Sequence, residues 1–412
     1  MAVIGAFPML GGTARAFGAT TTTEKAGSSE DDYYAKLNVK KIMNAAGTYT
    51  DLTGSLMPPQ VQRAVARAAL HPVVLRELQT NAGEYIAKKL RCEGALVSCG
   101  ASSALTLATA ACMQAANGCK PTDIPEFIGT ARFPKNEIIV QKSHRYGYDH
   151  AMFLCGAKFT EVETLDEYKR AFSPNTFMTN FNNAARTTAI PYQEWLDVAH
   201  QHNIPCLIDV ASDMPPIDTL WKYTAMGFDL VALSGGKGMR GPQNAGILMG
   251  KKRLTDLAAA NNSPGDGVGR GMKVAKEQIV GMVAAVDWIL EQTDEGMAKE
   301  FKRREDVIWS MLKDIPAIQA TTFTPPVAEH APVLKLTFDP AVLGITPSEV
   351  QAKLHELDRP IILATSRLVP VESRGNSIGV STRTLNPGDE IIVGRELRKV
   401  LKSGKASMPA KS

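Results

Sequence analysis

Between Ala95 and Gly250 the chain repeats one pattern: a short apolar run, a longer polar or amphipathic stretch, then another apolar run. The runs are ALVS (Ala95–Ser98), EIIVQ (Glu137–Gln141), KFTEVE (Lys158–Glu163), TFMTNF (Thr176–Phe181), PCLIDV (Pro205–Val210), DLVALS (Asp229–Ser234) and AGILMG (Ala245–Gly250). Most are apolar at consecutive positions rather than at every second one, so both faces of each strand need cover. Strands of this kind, separated by helical segments such as YQEWLDVAHQH, predict an α/β fold with a mostly parallel sheet between helices. Such sheets bind ligands at the carboxyl ends of their strands.

The pattern changes after KKRLTDLAAANNSPGDGVGRGMKVAKEQ. Residues 277–313 read as one or two long helices, and from Ala317 shorter strands and helices alternate again. A length of 412 residues suits two domains. The expected division is a large domain with an N-terminal arm over 33–290 and a smaller α+β domain over 291–405. Residues 1–32 stand apart. Positions 2–11 are apolar, and ARAFGA (Ala14–Ala19) has small residues at a cleavage-like spacing, but a basic start is missing. A remnant export signal and a disordered terminus both fit, so a cytoplasmic and an exported, periplasmic location both stay open. No other apolar run reaches the length of a membrane span.

The net charge of +4 is small for this length and argues against a nucleic-acid partner. The basic tail from Arg395 reads as a solvated helix end. The six cysteines form no C-x-x-C pair, which speaks against a structural zinc site, and a disulfide framework is not expected at this size. No metal is expected.

Lys237 is the residue most in need of explanation. It follows the apolar run DLVAL within LSGGKGMRGPQ, and lysine is rarely buried without a partner. A glycine-rich surface turn is one reading. The other is a catalytic amine that forms a Schiff base, with Gly235, Gly236 and Gly238 clearing space for a flat ring. A P-loop is excluded, because Gly238 stands where Ser or Thr is required. Asp209 ends the preceding strand, so one strand–helix–strand step puts it at the same sheet edge as Lys237. It is a turn aspartate or a carboxylate facing a protonated ring nitrogen.

Ser98-Cys99-Gly100-Ala101-Ser102-Ser103 joins a strand to an Ala-rich helix. It offers an anion seat at a helix start, or only an N-cap by Ser102 or Ser103. Ser234 could add a hydroxyl to the same anion. His144, just after EIIVQ, is a candidate for stacking on a cofactor ring or an ordinary hydrogen-bonded histidine. Arg270, Lys273 and Lys276 form a basic cluster among glycines, either solvated or facing a phosphate or carboxylate.

In this order the motifs resemble the fold type I pyridoxal-phosphate enzymes. More closely, the chain resembles the selenocysteine synthase (L-seryl-tRNA(Sec) selenium transferase) family, in the branch containing D-glucosaminate-6-phosphate ammonia-lyase. The resemblance spans about residues 38–300 and rests on MNAAGTYTDLTGS, GALVSCGASSAL, EIIVQKSHRYGYDHA, LIDVASDMPP, SGGKGMRGPQNAG and GRGMKVAKEQIVGMV.

The resemblance implies an aspartate aminotransferase-like large domain and pyridoxal 5'-phosphate as cofactor. Lys237 would carry the cofactor and act as general base. Asp209 would face the pyridinium nitrogen and His144 would stack on the ring. Gly100, Ala101, Ser102 and Ser234 would hold the phosphate. Arg270, Lys273 and Lys276 would face the substrate, in a neighbouring subunit of a homodimer or higher homo-oligomer. Arg367 or Arg383 would take the substrate carboxylate.

The tRNA-handling domain of a true selenocysteine synthase has no room before residue 33, so the expected substrate is a small amino acid or amino-sugar acid. The expected reaction is α,β-elimination to a 2-oxo acid and ammonia. A selenium or sulfur transferase, an aldolase or a racemase would use the same residues, and a non-catalytic member is the remaining alternative.

Overall fold

The computed structural model describes residues 32–328, 330–364 and 375–406. Two compact units divide the chain, Met1–Lys41 and Ile42–Ser412. In the first, Asp32 starts a short helix, Tyr33–Lys36, by accepting the Tyr34 N–H at 3.2 Å, and it pairs with Lys41 at 2.7 Å.

The second unit is built on a seven-stranded sheet. In chain order the strands of this unit are β1 (Met43–Ala45), β2 (Gly94–Ser98), β3 (Glu137–Gln141), β4 (Lys158–Val162), β5 (Thr176–Asn182), β6 (Cys206–Asp209), β7 (Leu230–Ser234), β8 (Gly246–Gly250), β9 (Ile318–Phe323), β10 (Val333–Phe338), β11 (Ile361–Leu363) and β12 (Ser377–Ser381). The large sheet has the order β2-β8-β7-β6-β5-β3-β4. Only β8 runs against its neighbours in it. All seven runs that the sequence marks as strands lie in this sheet.

Successive side chains of the central strands enter opposite cores, as a pleated strand requires. Leu207, Leu230 and Leu248 pack on one side with the helix Gly100–Asn117. Ile208, Val231 and Ile247 pack on the other with Phe181 and Trp195. Trp195 stacks flat on Tyr168, with centroids 3.9 Å apart, and gives its indole N–H to Thr179 Oγ1 at 3.1 Å. Each such large side chain contributes about 2 kcal/mol by leaving water. The helix Gly100–Asn117 is rich in alanine, and every residue from Ser103 to Met113 is buried. Small side chains let it lie close against β7 and β8.

Two helices follow, Lys276–Leu290 and Asp294–Ser310. The break comes where Thr293 caps the second by accepting the Gly296 N–H at 3.0 Å. Beyond them β12-β10-β9 form an antiparallel sheet whose core includes Ile308, Leu336, Val380 and Leu397. β1 pairs in parallel with β11, and the Thr384 hydroxyl donates to Asn44 O at 2.6 Å. These contacts carry the segment after β1 from the small sheet toward the carboxyl edge of the large one. No helix among the described residues is long and apolar enough to cross a membrane.

Candidate active site

A cavity of about 540 Å³ opens at the carboxyl edge of the large sheet. Gly100, Ala101, Ser102, Asp209, Ser234 and Lys237 all line it. Parallel pairing explains the convergence. β6 ends at Asp209 and β7 at Ser234, in neighbouring strands, with Asp209 in register with Ala232. β2 ends at Ser98, on the far side of β8 from β7, and feeds the helix that begins at Gly100. Because β8 runs the other way, its approach residues Gln243 and Asn244 reach the same edge.

The helix start is built for an anion. Gly100 has φ +79°, and a Cβ added there would meet nothing within 4 Å. The cap residue is Cys99, and its side chain makes no capping hydrogen bond. Ser102 and Ser103 lie inside the helix, so neither caps it. The first-turn N–H groups therefore remain available at the positive end of an 18-residue helix. Gly246 stands directly behind: a Cβ there would come within 2.6 Å of Gly100 C.

Asp209 is 6% exposed and well supplied with donors. Oδ1 accepts the Ala211 N–H at 2.9 Å, and Oδ2 accepts the Tyr146 hydroxyl. Burial pushes the Tyr146 phenol far above its ordinary range, and the Asp209 charge adds to that. Tyr146 therefore stays a donor at all working pH values. Tyr146 and Tyr148 both line the cavity.

His144 does not, which corrects the expectation that it stacks in the site. The turn Lys142–His144 folds its ring back over the sheet, edge-on to Phe181 with centroids 4.5 Å apart. Nδ1 accepts the Asn182 N–H at 3.2 Å, and Nε2 lies 3.2 Å from Thr188 Oγ1. Burial pulls this imidazole down to about 4. It is a neutral, hydrogen-bonded core histidine. The aromatic rings in the cavity come from Tyr146 and Tyr148, a short distance further along the same HRYGYDH segment.

Lys237 is half-buried in the turn after β7. The Ser55 hydroxyl donates to Lys237 O and to Gly236 O, and the Ser55 N–H donates to Gly236 O at 2.9 Å. The glycines around it serve packing rather than the cavity, a second correction. A Cβ on Gly236 would lie 2.5 Å from Gln243 Cα. One on Gly235 would strike Met282 Sδ, and one on Gly238 would strike Met214 O. They let three other segments close on the turn and fix where the lysine starts.

The basic residues do not join the cavity. Arg270 is exposed, 3.2 Å from Ser263 Oγ and 3.8 Å from Asp266. Lys273 is exposed, and Lys276 Nζ donates to Ala68 O at 2.8 Å and pairs with Glu277. Arg383 is buried beyond the end of β12, with Nη2 3.4 Å from Thr48 Oγ1, close in sequence to Thr50 on the cavity wall. Arg367 lies outside the described residues.

A family model described as aminotransferase class-V matches residues 160–356, which include Asp209 and Lys237. A 5'-C-glycyluridine monooxygenase-decarboxylase from Streptomyces sp is 27% identical over 382 residues, covering 89% of this chain and 92% of that protein. The D-glucosaminate-6-phosphate ammonia lyase of Salmonella typhimurium is 23% identical, covering 89% of this chain and 97% of that protein. A solved structure of D-glucosaminate-6-phosphate ammonia-lyase superposes with a TM-score of 0.78 at 22% identity, over 91% of this chain and 99% of the other. An L-seryl-tRNA(Sec) selenium transferase from Mannheimia succiniciproducens is 28% identical over 53% of this chain and 50% of its own length. The fold is that of the type I pyridoxal-phosphate enzymes, the chain is such an enzyme, and pyridoxal 5'-phosphate is its cofactor.

Proposed function

We propose that the chain is a lyase that takes a β-hydroxyl and then the amine from a hydroxylated amino acid or amino-sugar acid, giving a 2-oxo acid and ammonia. The observation that carries this reading is the shared cavity: Lys237, Asp209 and an uncapped helix start meet at one strand edge. When bound, pyridoxal phosphate supplies an electron sink that lets an α-proton leave.

The chain's own groups do the rest. The first-turn N–H groups at Gly100, Ala101 and Ser102, with the Ser102 and Ser234 hydroxyls, hold the phosphate. Asp209 keeps a proton on the ring nitrogen, and Tyr146 fixes the carboxylate that does so. Tyr148 and Tyr146 bound the ring. Lys237 Nζ anchors the cofactor, then removes and holds the α-proton. Arg383 is the candidate for the substrate carboxylate.

The two relatives that match nearly full length both act, by name, on an amino-acid group borne by a sugar skeleton. That supports a polyhydroxylated substrate over a tRNA. The first of them favours a second reading, loss of the carboxyl group with oxygen as co-reactant. We also infer a homodimer or higher homo-oligomer. Arg270 and Lys273 are exposed and outside this cavity, and Lys276 is bonded to Ala68, which the exposed Leu70, Val73 and Val74 follow in the chain. In an oligomer they would face a neighbouring site.

Incubation with a panel of 2-amino-3-hydroxy acids and amino-sugar acids tests the reaction. Ammonia and a 2-oxo acid in equal amounts are expected. Carbon dioxide release with oxygen uptake and no elimination product would replace the first reading by the second.

A further inference from the structure

A second carboxyl, Asp213, lies four residues beyond Asp209 on the turn whose Ala211 and Ser212 line the lysine cavity. It is 2% exposed. Oδ2 accepts a hydrogen bond from Asn183 Nδ2 at 3.0 Å. Oδ1 is buried and has no hydrogen-bond partner among the described residues. His330 Nε2 stands 3.9 Å from it. His330 belongs to the loop between β9 and β10, and it borders a separate cavity of about 240 Å³ with Pro215, Pro216 and Pro332. The Asp213–His330 pair thus lies between the lysine cavity and a second opening.

A buried carboxylate oxygen without a donor is costly, whereas a protonated carboxyl is far less so. Burial pushes the Asp213 carboxyl up to about 7, the Asn183 hydrogen bond opposes this, Asp209 adds to it, and Lys237 and Lys222 oppose it. Burial pulls the His330 imidazole down, the Pro325 carbonyl opposes that, and the Arg383 and Lys222 charges add to it. Further titratable neighbours are Tyr192 and Tyr223, both bonded to Asn183 and both raised by burial, and Asp294, which borders the small cavity with His330 and accepts the Ile217 N–H at 3.0 Å.

We propose that Asp213 and His330 share one proton, and that its position sets whether a neutral acid or a negative charge stands beside the wall of the lysine cavity. With the proton on Oδ1 both groups are neutral. When that O–H bond breaks and the proton bonds to His330 Nε2, a carboxylate and an imidazolium result, and no other reactant takes part. Closing the gap to hydrogen-bond length takes a shift of about 1 Å. The carboxylate then puts a negative charge next to Ser212 on the wall of the lysine cavity. Asn183 links the parts, since its N–H donates to Asp209 O at 3.1 Å while its side chain holds Asp213. Asp213 is a positioning residue, and its role rests on the reading of Lys237 as the proton-holding amine.

The test compares the full-length protein with Asp213→Asn and His330→Gln. Asp213→Ser serves if the asparagine variant does not fold. Urea unfolding is followed from pH 5 to 8. A raised carboxyl contributes stability at low pH that is lost as pH rises through about 7, whereas asparagine does not titrate. Asp213→Asn is therefore expected to gain on the wild type as pH rises. In the His330→Gln background the same gain is expected at higher pH. A difference independent of pH, or one that His330→Gln leaves in place, overturns the shared proton.

In a second arm the visible band of the cofactor-loaded protein is titrated. Asp213→Asn should move its midpoint by about half a pH unit or more, and an unmoved midpoint overturns the link to Lys237. The unfolding arm does not involve Lys237, so a failure of the Lys237 assignment would leave its outcome unchanged.

Discussion

Tyr146 donates its hydroxyl hydrogen to Asp209 Oδ2, joining the turn after β3 to the end of β6 across the floor of the cavity. Among the described residues the Asp209 side chain has one other donor, the Ala211 N–H. The tyrosine therefore decides how firmly the carboxylate is aimed.

Tyr146→Phe removes that donor and leaves the ring. A hydrogen bond to a charged group contributes about 1.5–3 kcal/mol, so cofactor affinity should fall roughly 10- to 100-fold. Fluorescence titration of the cofactor-free protein checks this. Unchanged affinity would mean that Tyr146 does not support the ring-binding carboxylate.

His144 is predicted to matter for stability rather than for cofactor binding. Its imidazole falls to about 4 in the fold because burial disfavours the charged form. A depressed histidine contributes stability that is present above its ordinary range and lost as pH falls, here from about 6.5 toward 4, by at most about 3 kcal/mol. His144→Asn should remove that part of the acid sensitivity in urea unfolding, while cofactor titration stays near wild type. A large loss of cofactor affinity at full stability would restore the stacking role.

Two glycines should each lose stability, for different reasons. Gly236→Ala forces a Cβ against Gln243 backbone and should destabilise by about 1–3 kcal/mol, with the Lys237 turn displaced. Gly100→Ala meets open space but keeps φ +79°, so its cost is backbone strain of about 1–2 kcal/mol. Its added methyl also sits at the anion seat and should weaken phosphate retention. Thermal unfolding with and without inorganic phosphate separates the two effects.

The strands of the large sheet could be read from apolar runs because they are buried on both faces, and burial leaves a local imprint. Asp209 and Lys237 could be placed at one edge because consecutive parallel strands repeat the same polarity. His144 could not be placed, because the turn at Lys142–His144 chooses between the cavity and Phe181, and Phe181 is distant in sequence. Tyr146 and Tyr148 follow in HRYGYDH and line the cavity, but nothing local in the sequence marks which ring faces inward. The glycines next to Lys237 were ambiguous for a related reason. Their close neighbours, Met214, Gln243 and Met282, come from separate segments that only the folded chain brings together. Asp213 lay within LIDVASDMPP in plain view, but its burial against His330 depends on the small sheet.

The most direct measurement is on Lys237. The purified protein with pyridoxal phosphate is treated with borohydride, digested and mapped by mass spectrometry, beside Lys237→Ala. The account predicts the reduced cofactor on Lys237 in the parent protein, and neither the visible band nor turnover in the variant. A cofactor label on another residue, or a variant that keeps both band and turnover, would contradict it.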